Sequence, residues 1–186
     1  VALPSTPADA KGLMAASIRD ENPVVYLHHY MLTLEKGEVP DGEFVIPFGV
    51  ADVKRAGTDV TIVATGWMVK RTLAAAELLA AEGINAEVID PRTLAPLDVE
   101  TIVESVRKTG RLVLVDQATR HASAAVIIAG EVAERGFQYL KAPVMMVTAL
   151  HTSIPYSEPL ERYVLPDEKK IVQAVRSVVA KQAVGA

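Results

Sequence analysis

The chain has no cysteine. That removes disulfides, thiolate nucleophiles and cysteine-ligated zinc together, and it fits a reducing compartment. Aromatic residues make up only 5%, so a core has to be assembled from Val, Ile, Leu and Ala. No apolar run approaches the roughly 20 residues that a membrane-crossing helix needs, and no stretch of signal-peptide character opens the sequence. The cytoplasm is therefore the expected location. The 19 basic residues are dispersed among 23 acidic ones, for a net charge of -4. A nucleic-acid surface gathers its basic residues on one face, so neither nucleic acid nor membrane is an expected partner.

What is present is a pattern. The hydrophobic share is 50% over 186 residues, long enough to bury roughly 70% of the unfolded surface without staples. Asp59 to Gly66 is a β-branched apolar run ending in glycine, and Trp67 to Glu82 has helical composition and stops at Gly83. Ala86 to Ile89 is a second short strand. Asp90 to Asp98 is a turn with two prolines, and a helix then runs to Thr109 and Gly110. Arg111 to Asp116 is a third strand and Pro143 to Thr148 a fourth, with an apolar helix from Ser123 to Arg135 between them. That helix is apolar almost all round, so cover on both faces is expected. Asp167 to Lys170 opens a last amphipathic helix. Strands alternating with helices of this length predict an α/β fold. Its form is a three-layer sandwich, with a mostly parallel sheet between helices on both faces.

Three segments follow from the breakers. Residues 1-33 read as a strand end, a helix capped by Thr6 with Pro7 in its first turn, and a buried strand from Pro23 to Leu27. Residues 34-58 hold Gly37, Pro40, Gly42, Pro47, Gly49 and Gly57, the composition of a linker, with Phe44 to Ile46 and Gly49 to Val53 as a short strand pair. Residues 59-186 form the compact domain. The few strands of residues 1-33 lack partners, and open strand edges seek pairing. Self-association is expected, with that segment packed on a neighbouring chain or without order.

Candidate chemistry is sparse. Gly66 lies between a strand and a helix, where backbone amides bind phosphate, but no further glycine and no Walker lysine follow, so it reads as a tight turn. Asp90, Arg92 and Asp98 sit at the carboxyl end of a strand, where α/β sheets hold ligands. Asp98 stands where a helix cap belongs, and the structural role is favoured for all three. The histidines are His28, His29, His121 and His151, none at metal-ligand spacing, and hydrogen bonding at a surface or interface is their expected role. Ile18 to Asn22 ends the first helix, whose free carbonyls attract a hard cation, although a solvated helix end is the plainer reading. There is no Gly-x-Ser-x-Gly nucleophile turn.

Several segments taken together resemble one family. They include Pro4 to Leu13, Ile-Arg-Asp-Glu-Asn-Pro from Ile18, Lys36 to Pro40, Ile46 to Gly49 and Asp59 to Thr61. Asp-Pro-Arg-Thr-Leu-Ala-Pro-Leu-Asp from Asp90, Glu104 to Gly110, Leu140 to Pro143 and Ile154 to Tyr156 continue in the same order. The sequence is similar to the beta subunit of thiamine-diphosphate-dependent 2-oxo acid dehydrogenases, of the pyruvate, branched-chain and acetoin type. The resemblance implies that residues 1-33 are the tail of a pyrimidine-binding domain whose catalytic glutamate and histidine lie upstream of Val1. It implies that 59-186 is the transketolase-type C-terminal domain, serving assembly with the alpha subunit and docking of the acyltransferase core. Thiamine diphosphate and magnesium would act in the intact enzyme and not be held by this chain, which alone would be inactive. Potassium is implied at Ser17, Ile18, Asp20 and Asn22. The chain departs from the family where His28 replaces glutamate, where His151 replaces aspartate, and near Arg120 to Val126, where a glycine-rich turn is usual. A free-standing assembly or regulatory module of the same fold is the alternative.

Overall fold

The computed structural model describes residues 1–180. Its sheet has five strands: β1 (Asp52–Arg55), β2 (Val60–Ala64), β3 (Ala86–Asp90), β4 (Leu112–Thr119) and β5 (Met145–Ala149), in the spatial order β1-β3-β2-β4-β5. β2 runs parallel to β3 and β4, β4 runs parallel to β5, and only β1 is antiparallel, on the edge beside β3. The helices are α1 (Pro7–Arg19), α2 (Trp67–Ala80), α3 (Val99–Thr109), α4 (Ala124–Gly136), α5 (Glu158–Val164) and α6 (Glu168–Ala180). The expected α/β sandwich is the observed one.

Strand periodicity builds two cores, because successive side chains leave a strand on opposite faces. Val60, Ile62 and Ala64 of β2 join Val88, Val113 and Val115 against α2 and α6. Val63, Ile89, Leu112 and Leu114 point the other way, against α3 and α4. Every residue of β2 and of β3 is buried. Burying one such aliphatic side chain contributes roughly 1.5–3 kcal/mol, so these central strands hold the layers together.

Polar groups caught between the layers are paired. Thr61 lies on the α3 face, and its hydroxyl bonds those of Ser105 (2.6 Å) and Thr109 (2.7 Å). The buried Arg111 donates to the carbonyls of Val178 and Asp59, which ties α6 to the entry of β2. Helix ends carry the predicted signals. Thr6 caps α1 by accepting from the Asp9 amide (3.1 Å), and Asp98 caps α3 by accepting from Thr101 (3.1 Å). Gly110 closes α3 in the left-handed conformation, at φ 73°.

Three expectations fail. Pro23 to Leu27 is not a buried strand: only Tyr26 forms a bridge, to Ala2, while Val25 and Leu27 are exposed. The segment is too short to pair along its length, and it lies on the outside. Phe44 to Ile46 does not pair with 49–53. Asp52 to Arg55 instead takes the open edge of β3, and Phe44 and Ile46 pack with Ala2 and Leu13 in a third, small core. The helix read as covered all round, α4, leaves Val126 and Ile127 exposed, because it lies in the outer layer with nothing beyond it among the described residues. The start of the chain is tied to the turn after β3: Leu3 donates to the Arg92 carbonyl (2.8 Å) and Leu94 to that of Val1 (2.9 Å). Of the segment 59-186, residues 181–186 lie outside the described residues.

Gly57 sits where β1 turns towards β2. A Cβ there would fall 2.2 Å from the Ala86 carbonyl carbon and 2.3 Å from the Glu87 nitrogen, both backbone. Gly57→Ala should therefore destabilise the fold by about 1–3 kcal/mol. Gly130, inside α4 with nothing within 4 Å of its Cβ position, is the control. Gly130→Ala should stabilise by about 0.5–1 kcal/mol. Urea unfolding of the two variants beside the parent chain measures both.

Candidate functional site

Open α/β sheets bind ligands outside the carboxyl ends of their strands, at the point where the strand order reverses. Here β2 neighbours both β3 and β4, so that crevice opens above β2 and β4. The chain fills it with its own residues. Gly66 turns β2 into α2 at φ 52°, the tight turn expected of it. The Leu3 side chain lies 3.5 Å from the position a Gly66 Cβ would take. Beside it His29 stacks on Trp67, with ring centres 5.8 Å apart and planes within 10°. The His29 ring nitrogen also accepts from the Met31 amide (3.2 Å). Burial holds the imidazole below its ordinary pKa, against the hydrogen bond it makes to Gln117.

Asp116, in β4 below this plug, has no spare capacity. One carboxylate oxygen accepts from Ala118 N (3.2 Å) and Thr65 Oγ1 (3.4 Å). The other accepts from Ser123 Oγ (2.6 Å) and Ala124 N (2.9 Å). It organises the start of α4 and is no free base. Sequence reasoning passed over it; the signal was an acidic residue ending an apolar strand, seven places before a helix cap.

A second charged group lies beyond β3. Asp90 is fully buried and accepts from Ser5 Oγ (2.5 Å) and Arg92 N (2.9 Å). Asp9, from α1, accepts from Thr6 Oγ1 (2.6 Å) and Lys54 Nζ (2.9 Å), with Arg92 at 3.5 Å. Burial pushes the Asp90 carboxyl up to about 6, against the pull of Ser5 and Lys54. Burial also works to raise Asp9, but Thr6 and Lys54 outweigh it and hold that carboxyl below its usual range. Lys54 is raised: burial opposes its charge, and Asp52 and Asp9 overcome that. The turn residues behave as the structural reading requires. Arg92 ties the loop down through the carbonyls of Val50 (3.0 Å) and Ala51 (3.3 Å), and Asp98 also accepts from the Ala51 amide (2.9 Å). The buried Asp9 was legible as an acid sharing the Gly12 and Leu13 face of α1, a spacing of three and four residues.

The cation candidates share the exposed end of α1. Ser17 Oγ donates to the Leu13 carbonyl (2.7 Å), and Asp20 accepts from the amide (2.8 Å) and side chain (3.1 Å) of Asn22. Ile18 is 77% exposed. Among the described residues no three His, Asp or Glu side chains gather as a metal site. His28 is exposed and stands on no strand. His121 and His151 meet across the tops of β4 and β5, with ring centres 4.7 Å apart. Their separation in sequence gave no hint of this; the pairing of Thr119 with Ala149 brings them together.

The arrangement holds segments in place and offers no activated nucleophile. It does make stability pH-dependent. Asp90 binds a proton more tightly folded than unfolded, so its contribution is full below pH 4 and is lost as pH rises to about 6. Asp9 runs the other way and weakens the fold when acid protonates it. Asp90→Asn should therefore gain on the parent chain between pH 4 and 6, by up to roughly 3 kcal/mol, and hold that gain above. Urea titrations at stepped pH measure the difference, in which constant effects of the substitution cancel.

The family model for the transketolase C-terminal domain matches residues 49–171. The beta subunit of acetoin:2,6-dichlorophenolindophenol oxidoreductase from Cupriavidus necator is 48% identical over 179 residues, which cover 96% of this chain and 53% of that one. The beta subunit of the pyruvate dehydrogenase E1 component from Bacillus subtilis is 45% identical over 180 residues, covering 96% and 55%. Among solved structures, a split-gene transketolase described as an inactive beta4 tetramer superposes with a TM-score of 0.81 at 28% identity, covering 96% of this chain and 56% of that one. The chain thus spans about half the length of the relatives it matches. It belongs to the transketolase C-terminal domain family.

Proposed function

We propose that this chain is the assembly-bearing C-terminal portion of the beta subunit of a thiamine-dependent 2-oxo acid dehydrogenase, an enzyme that decarboxylates a 2-oxo acid and passes the acyl group to lipoamide. The observation that carries the reading is the plugged crevice. The place where such a sheet would hold a ligand is occupied by Leu3, His29 and Trp67, and Asp116 beneath them is fully bonded. A domain with its ligand position filled by its own chain is a scaffold. Thiamine diphosphate with magnesium supplies the carbon chemistry in the assembled enzyme, and no residue of this chain is assigned to hold it. The partners on this reading are the alpha subunit, the acyltransferase core and further copies of the beta chain, in the cytoplasm. Exposed Val126 and Ile127 on α4, with Ile154, Leu160 and Tyr163 near α5, supply apolar surface for such contacts. Among the described residues no helix is long and apolar enough to cross a membrane.

Potassium at the end of α1 belongs to the same reading. Last-turn carbonyls of a helix lack partners within it, and Ser17 and Ile18 stand in that turn beside the carboxylate of Asp20 and the amide of Asn22. This oxygen-rich, exposed set fits a weakly held monovalent cation, which would fix the angle at which the chain leaves α1.

Two measurements test the reading. The chain supplied with pyruvate or acetoin, thiamine diphosphate and magnesium should not reduce 2,6-dichlorophenolindophenol; sustained turnover would overturn the scaffold role. Replacing sodium by potassium, at about ten times the dissociation constant, should raise the melting temperature by a few degrees. Asp20→Ala should abolish that rise, and an unchanged rise would remove the cation from this site.

A further inference from the structure

A cleft of about 570 Å³ runs between the outer edge of β5 and α6, apart from the plugged crevice. Its walls are largely apolar, from Met145, Val147 and Leu150 on one side and Ala174 on the other. At the end where β4 and β5 finish stand Arg120, His121 and His151. None of these three side chains has a hydrogen bond or ion pair among the described residues, although the two rings lie 4.7 Å apart and tilted by 57°. An imidazole carries an N–H in either tautomer and a guanidinium carries five, so several donors converge there unspent. No Asp or Glu lines the cleft, in a chain with 23 acidic residues against 19 basic. Lys170 adds positive charge without adding a donor. Its ammonium is taken up by the carbonyls of Arg162 (3.2 Å), Tyr163 (2.7 Å) and Leu165 (2.5 Å).

We propose that this cleft binds a small organic carboxylate, with the anionic head on Arg120, His121 and His151 and an apolar body along Met145, Val147 and Leu150. The guanidinium fork matches a carboxylate in two parallel hydrogen bonds, and both imidazoles gain the acceptor they lack. The volume falls in the range of small-molecule sites, which pair apolar walls with a few convergent polar groups. A divalent metal is the wrong occupant, because Arg120 and Lys170 repel it and the lining offers it no carboxylate. The site is independent of the assembly role, and neither depends on the other.

The test is a titration of the isotopically labelled chain, followed by amide NMR, with sodium octanoate, octan-1-ol and inorganic phosphate at equal ionic strength. Octanoate should give saturable shifts centred on Val147 to Thr152 and Gln173 to Ser177. Octanol and phosphate, each lacking one half of the ligand, should bind at least about ten-fold more weakly. Arg120→Gln and His151→Ala together should cost octanoate about ten-fold or more, with the rest of the spectrum unchanged, and Arg120→Lys should restore part of that loss. The proposal is overturned if octanol or phosphate binds as well as octanoate, if the shifts centre elsewhere, or if the double variant binds unchanged. Absence of saturation below roughly 10 mM overturns it too.

Discussion

Lys54 stands among three carboxylates: Asp9 at 2.9 Å, Asp52 at 2.6 Å and Asp90 at 3.9 Å. Its side chain is only 12% exposed, and the carboxylates come from α1, β1 and the end of β3. One ammonium therefore joins the N-terminal segment, the edge strand and the central sheet. Withdrawing such charges from water costs several kcal/mol per ion, and the attraction between them offsets this only when the remaining hydrogen bonds are made. Here they are made, by Ser5, Thr6 and the Arg92 amide. The cluster acts as a clasp whose geometry is specified. An apolar contact of the same area would allow α1 to slide.

The clasp decides what the sheet can do. It fixes α1 and the extended segment at Ala2 and Leu3, whose amides bond the carbonyls of Val25 and Arg92. Leu3 is thereby laid over Gly66, and the stretch after Tyr26 carries His29 to Trp67. A doubly wound sheet creates a ligand position by topology alone. In this chain topology opens the position and the clasp closes it. Carboxylates near strand ends would elsewhere suggest catalysis; here Asp90 and Asp116 have spent their acceptors on hydroxyls and amides.

Much of the fold was legible because it rests on local rules. Valines and isoleucines in short runs marked β2, β3, β4 and β5. Thr6, Asp98 and Gly110 marked helix ends through backbone groups only a few residues away. The misreadings arose where a segment's fate depended on distant residues. Pro23 to Leu27 has strand composition but finds one bridge, and Asp52 to Arg55 became a strand because β3 left an edge open. In α4, the sequence announces apolar faces without saying whether another layer exists to cover Val126 and Ile127.

The candidate sites divide along the same line. Asp98 could be assigned from its neighbours in sequence, because a cap is a local structure. Asp9 with Asp90, Thr65 with Asp116 and His121 with His151 could not, because their approach is set by strand order and register over many residues. The chain's own chemistry determined an α/β sandwich of aliphatic residues with no cysteine chemistry, and named most of its helix ends, since hydrophobic period and capping act within a few residues. Only the tertiary structure decided that the ligand crevice is filled from within and that Arg120 shares a cleft with two histidines, since those outcomes depend on which distant segments the packed sheet brings face to face.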